Sequence, residues 1–122
     1  MKIAEDSCQL ALIDLLMRNN SCSTAIELCE AALEQDIPGF NRACYWQLMS
    51  TAYAFVQNYD KSIATGRQAI SRFEAVGAAD SASVAVLRLV SDLDSLREED
   101  AWQQAISLLD EWIEKDKAKK DF

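Results

Sequence analysis

A spacing that recurs three times constrains this chain more than any other feature. A bulky residue is followed three positions later by a small one, and seven positions after that by a small or apolar one. The copies are Cys22, Ala25 and Ala32, then Tyr59, Ser62 and Ala69, then Trp102, Ala105 and Trp112. Each copy sits beside a segment whose apolar residues return with a helical period, so the chain reads as three helix-turn-helix units. One such unit cannot bury its own apolar face, and the three must stack.

Composition agrees with an all-α fold. The chain has 122 residues, half of them hydrophobic, which suffices for one domain with a continuous core. Its 3 glycines and 1 proline are too few for a fold made of many tight turns. The 20 acidic residues against 12 basic give a formal charge of −8, which repels phosphate backbones and anionic membrane surfaces. The balance points to a basic or apolar partner, with no nucleic acid and no membrane. No apolar run approaches the roughly 20 residues that span a bilayer. The opening Met1-Lys2-Ile3-Ala4-Glu5-Asp6 turns acidic at once instead of leading into a signal-peptide core, so a cytoplasmic location is expected.

Catalytic chemistry has little to work with. The chain contains no histidine, which removes the Ser-His-Asp triad, the Cys-His pair and every imidazole ligand. Gly39, Gly66 and Gly77 are isolated, and none belongs to a phosphate-cradling loop. The acidic groups Asp92 with Asp94 and Glu98-Glu99-Asp100 lack the spacing of a calcium loop and read as solvated charge. Cys8, Cys22, Cys29 and Cys44 never form C-x-x-C and read as small buried hydrophobes in a reducing compartment. No catalytic residue, metal site or cofactor is expected.

Along the chain, the first helix is expected from about Asp6 to Arg18, with Cys8, Leu12, Leu15 and Leu16 facing the core. The second starts near Ser23 or Thr24, where Thr24-Ala25-Ile26-Glu27 has capping-box form, and carries Leu28, Ala31, Ala32 and Leu33. Ile37-Pro38-Gly39 ends the first unit. A second unit opens near Phe40 with Tyr45, Trp46, Met49, Ala52, Tyr53 and Val56 at helical spacing. It restarts at Asp60 as N-cap, with Ile63, Ala69, Ile70 and Phe73 on the following helix. Gly77 is the expected C-cap. The fifth helix carries one stripe of Val86, Leu89, Leu93 and Leu96, and the sixth an apolar face of Ile106, Leu109, Trp112 and Ile113. Trp102 and Trp112 are expected to pack inward and close the core. An exposed ring there would instead mark a docking or dimerisation surface.

These residues resemble the tetratricopeptide repeat family, whose consensus runs Trp, Leu-Gly and Tyr on the first helix and Tyr, Ala, an aromatic and Ala on the second. The middle unit matches best, with Trp46-Gln47-Leu48-Met49-Ser50-Thr51-Ala52-Tyr53 followed by Tyr59, Ser62 and Ala69. The resemblance covers units at about 6–39, 43–76 and 86–119, followed by a charged tail at 115–122. Copies are separated by 37 and then 43 residues, against about 34 in the family. It implies one domain over 1–122: three helix-turn-helix pairs stacked as a short TPR-like α-solenoid.

The resemblance further implies a concave groove lined by the first helix of each pair. Its expected partner-binding residues are Asp14, Met17 and Arg18, then Gln47, Thr51 and Phe55, then Val90, Asp94 and Arg97, flanked by Ser7, Cys44, Ala54 and Ser91. Met17, Phe55 and Val90 would hold apolar anchors, and the polar members would bond a peptide backbone. Family members that clamp a C-terminal carboxylate use asparagine at positions that here read Ala11, Leu48 and Ser91, so that mode does not fit. The expected function is a non-enzymatic adaptor or chaperone that binds a peptide or a basic, amphipathic helix and loses its partner when Gln47 or Phe55 is changed. The alternative is a structural module that forms a homodimer through its terminal helices.

Overall fold

The computed structural model describes the backbone of residues 2–95 and 99–120, and the side chains of 8–95 and 99–115. It contains, among the described residues, six helices and no strand: α1 (Lys2–Arg18), α2 (Cys22–Leu33), α3 (Gly39–Phe55), α4 (Tyr59–Ala75), α5 (Ala79–Ser95) and α6 (Glu99–Lys120).

Three turns built alike set the path. Asn20, Gln57 and Gly77 adopt positive φ of 63°, 62° and 74° just past the ends of α1, α3 and α4. At each, the next residue's N–H reaches back to the last turn: Ser21 to the Leu16 carbonyl at 2.8 Å, Asn58 to Tyr53 at 2.9 Å and Ala78 to Phe73 at 2.9 Å. The paired bonds over three residues, from Asn20 to Met17, Gln57 to Ala54 and Gly77 to Glu74, complete a Schellman closure in each case. Gly77 is thus the cap that the sequence announces, while Asn20 and Gln57 do the same task at the cost of a side chain in the left-handed region. Two starts differ from expectation. Asn58, not Asp60, caps α4, its side chain accepting from the Lys61 N–H at 3.3 Å, and α2 begins at Cys22 with no side-chain cap at Ser21.

Each helix packs on the next, and α1 also packs on α3 and α3 on α5. The first helices of the three pairs therefore form one layer and the second helices line its other side, the arrangement of a short α-solenoid. Between α3 and α4 the helices touch through Ser50 and Ser62, both buried, where two hydroxyls take the space of larger side chains. Trp46 bridges the two halves of the interior. On one side lie Ile13, Met17, Cys29, Tyr45 and Met49, and on the other Ala69, Phe73, Leu89, Leu93 and Ala105.

Two registers differ from the sequence expectation. In α1 the core face is Ile13 and Met17, with Leu10 and Leu16 partly buried, whereas Cys8, Leu12 and Leu15 are exposed. In the third pair, α5 begins 40 residues after α3 (Gly39 to Ala79), and the buried Ala101, Ala105 and Leu108 of α6 stand 39 residues after the buried Ser62, Gly66 and Ala69 of α4, not 43, so this pair starts well before residue 86. Ala101, Ala105 and Leu108 carry the buried face of α6, while Ile106 and Ile113 are exposed. Trp112 packs partly against the core, but Trp102 is 54% exposed, which overturns the expectation that both rings close the interior. Leu96 and the tail from residue 116 lie outside the described side chains.

Candidate functional site

The 40-residue register gives the expected groove residues a common meaning. Leu87, Val90, Ser91 and Asp94 on α5, with Trp102, Ala105, Ile106 and Leu109 on α6, line an open groove of about 350 Å³. Moved back by 40 on α5 and by 39 on α6, these positions become Gln47, Ser50, Thr51 and Ala54 on α3 and Ile63, Gly66, Arg67 and Ile70 on α4. Of these, Ser50, Thr51, Ala54, Gly66 and Ile70 are buried. The helix that covers them is α5. Leu89 lies against Gly66 and Ser50, and the Asp92 carboxylate accepts a hydrogen bond from the Thr51 hydroxyl at 2.9 Å. The same wall on the first pair, 37 residues earlier, includes Ile13, Met17 and Cys29, which pack with Tyr45 and Met49 of α3. Each pair thus offers a seat for one further helix. Two seats are filled by the chain itself, and the α5/α6 seat is open.

This explains where the expected site residues fall. Met17 is 2% and Thr51 1% exposed, so neither is available as a groove contact; both form the floor of an occupied seat. Ala54 is buried for the same reason. Asp14 and Arg18 pair with each other at 3.0 Å on α1. Phe55 is 54% exposed at the end of α3 and lines neither this groove nor the next one described. Gln47 and Cys44 line a smaller groove of about 240 Å³ between α3 and α5, together with Phe40, Phe73, Asp80, Ser81 and Val84. Val90, Ser91 and Asp94 do meet, in the open seat. Arg97 and Ser7 lie outside the described side chains.

Among the residues that sequence reasoning did not assign to the site are Leu87, Val84 and Ile106. Leu87 is 62% and Val84 59% exposed. Their signal was present in the sequence, since both are apolar yet fall off the Val86-Leu89-Leu93 stripe that fills the core. Val84 lines the smaller groove and Leu87, one turn on, lines the larger.

Asp94 puts a negative charge in the wall of the seat. The described cations of these two helices are engaged elsewhere: Arg88 with Asp92 at 3.6 Å and Lys115 with Glu74 at 3.8 Å. Burial pushes the Asp92 carboxyl above its usual range, against the lowering pull of the Thr51 hydroxyl and Arg88. The thiol of Cys29 is pushed up to about 12, first by burial and then by the neighbouring Glu30 charge, which leaves it a weak nucleophile and ligand. Among the described residues no three Cys, Asp or Glu side chains gather as a metal site, and no helix is long and apolar enough to cross a membrane. Comparison with known protein families, with curated proteins and with solved structures finds no match for this chain.

Proposed function

We propose that this chain is a non-enzymatic protein interaction module of the tetratricopeptide-like kind, an adaptor or chaperone that receives an amphipathic helix of a partner protein. The observation that carries the reading is the open α5/α6 seat, which stands on the third pair where the two earlier pairs carry α3 and α5. A surface that the fold twice uses to hold a helix is suited to holding a third. The groove supplies apolar anchors in Leu87, Val90 and Trp102, and Asp94 in its wall together with the chain's net charge of −8 favours a basic partner and speeds its approach. Four free thiols suit a reducing compartment such as the cytoplasm.

A second reading is self-association, which the 54% exposure of Trp102 favours. Light scattering and paired capture experiments separate the two. The adaptor is a monomer alone, and wild type retains a host polypeptide that a Leu87→Asp/Trp102→Ala variant, shown by circular dichroism to fold, releases. A dimer of wild type that the same variant dissociates supports self-association, and identical capture by both proteins removes the seat as the binding surface.

A further inference from the structure

Resting on the reading of the α5/α6 groove as a helix seat, we infer that the same groove also takes α1 of a second copy of this chain, so that concentrated copies join end to end and a partner helix breaks them apart. Burial and the closing turn set the register of α1 against α3. Ile13 and Ser50, Met17 and Ala54, and the left-handed Asn20 and Gln57 each stand 37 residues apart. Moved forward by 37, Cys8, Leu12 and Leu15 become Tyr45, Met49 and Ala52, the face of α3 that is buried with the first pair. A further 40 residues on stand Ala85, Leu89 and Asp92, the face of α5 turned to the second pair, with Leu89 against Gly66 and Asp92 bonded to Thr51. None of these six residues on α3 and α5 is more than 8% exposed. On α1, Cys8 is exposed, Leu12 is 49% exposed and Leu15 is 55% exposed.

The two ends of the solenoid therefore match. Among the described residues, α1 is a first helix with no preceding pair to lie on, and α5/α6 is a pair with no further helix laid on it. Solenoids commonly hide such ends under polar caps. Here Leu12 and Leu15 stand at one end and Leu87 and Trp102 at the other, all about half exposed or more. The floor of the seat suits the incoming face as well. Leu12 holds the place of Leu89, and the residue 39 positions after Gly66 is Ala105, a small side chain in the groove. Charge sets the strength: copies that each carry −8 repel, so the contact is weak and salt strengthens it, whereas the same salt weakens a basic helix in the seat. The contact joins different surfaces of the two copies, so it does not close, and chains grow one copy at a time. In dilute solution the chain is a monomer with its seat open.

Static light scattering on the full chain, over a concentration series up to about 1 mM, reads the mean mass. Wild type is expected to be a monomer at the dilute end and to rise through the mass of a dimer without a plateau, more steeply in about 0.5 M than in about 0.05 M NaCl. Two uncharged variants at exposed positions break the two ends separately: Leu12→Gln/Leu15→Gln on α1, and Leu87→Gln/Trp102→Gln in the seat. Each is expected to stay a monomer alone. Mixed, they are expected to form a dimer that grows no further, because one keeps an intact seat and the other an intact α1. That rescue is not produced by misfolding of either variant. A lysine-rich amphipathic helical peptide is expected to break wild-type chains into monomers. Dimerisation of the Leu12→Gln/Leu15→Gln variant alone overturns the inference in favour of a seat-to-seat dimer, and a wild type that stays monomeric at every concentration overturns it outright. In both cases calorimetric binding of the peptide, lost in the Leu87→Gln/Trp102→Gln variant, leaves the helix-seat reading standing. If the peptide does not bind either, that reading falls with the inference.

Discussion

Ser50 and Ser62 hold each other's backbone across the α3/α4 contact. The Ser50 hydroxyl donates to the Ser62 carbonyl at 2.7 Å and the Ser62 hydroxyl donates to the Ser50 carbonyl at 2.9 Å, with both residues buried. Removing one hydroxyl leaves the other bond in place, so Ser50→Ala or Ser62→Ala is expected to lower stability by about 1 kcal/mol. Ser62→Val adds bulk at the same closest approach and is expected to cost about 2 kcal/mol or more. Urea unfolding of the three variants checks the order.

Gly66 is the second point where the spacing of helices depends on an absent side chain. Alanine there gains up to about 1 kcal/mol of helix propensity. Its Cβ, however, meets Leu89 and Ser50 below 3.0 Å. Gly66→Ala is expected to be net destabilising by about 1 kcal/mol or more. A Gly66→Ala/Leu89→Ala pair should recover part of the overpacking loss, and the coupling is read from a double-mutant cycle.

Gln57 stands at φ 62° in a closure that Gly77 performs without strain. Gln57→Gly is therefore expected to raise stability by about 0.5 kcal/mol, the strain relief exceeding the added freedom of the unfolded chain. Gly77→Ala is expected to lower it. Thermal unfolding monitored at 222 nm reads both.

The pH dependence turns on Asp92. Its carboxyl is raised by burial, so the folded state holds this proton at pH values where the unfolded chain has lost it. The group's contribution is then most favourable below the unfolded carboxylate range and declines as pH rises through the folded value. Asp92→Asn keeps an acceptor for the Thr51 hydroxyl but carries no charge to bury. The variant is expected to gain on wild type as pH rises from about 3 to 7, with the Arg88 contact contributing little because that side chain is half exposed. A constant difference across this range contradicts the assignment.

The residues that made the fold legible were those whose periodicity had contrast. Val86, Leu89 and Leu93 stand out because Arg88, Ser91 and Asp94 mark the face turned away from them, and the structure buries all three. Between Leu10 and Met17, Asp14 is the one polar residue, so every helical face looks apolar and the choice of Leu12 and Leu15 over Ile13 and Met17 had no basis in contrast. In the last pair, Trp102 was matched to Tyr59 by bulk. The close contact is made by the alanines at 101 and 105, which carry little weight in a pattern read by size. That match set a 43-residue spacing and moved the third groove segment toward Val90, Asp94 and Arg97. The wall itself was recognisable, but which of its three copies the chain covers is a tertiary fact: burial of Met17 and Thr51 depends on α3 and α5 lying over them.

The central claim is that the α5/α6 seat receives a helix, and amide and indole chemical-shift mapping tests it most directly. On titration with a lysine-rich amphipathic helical peptide, the account predicts shifts concentrated at Leu87, Val90, Ser91, Ile106 and the Trp102 indole, with Thr51 and Ser62 unmoved. Shifts centred on Phe55 and Gln47 instead, or none at saturating peptide, contradict it.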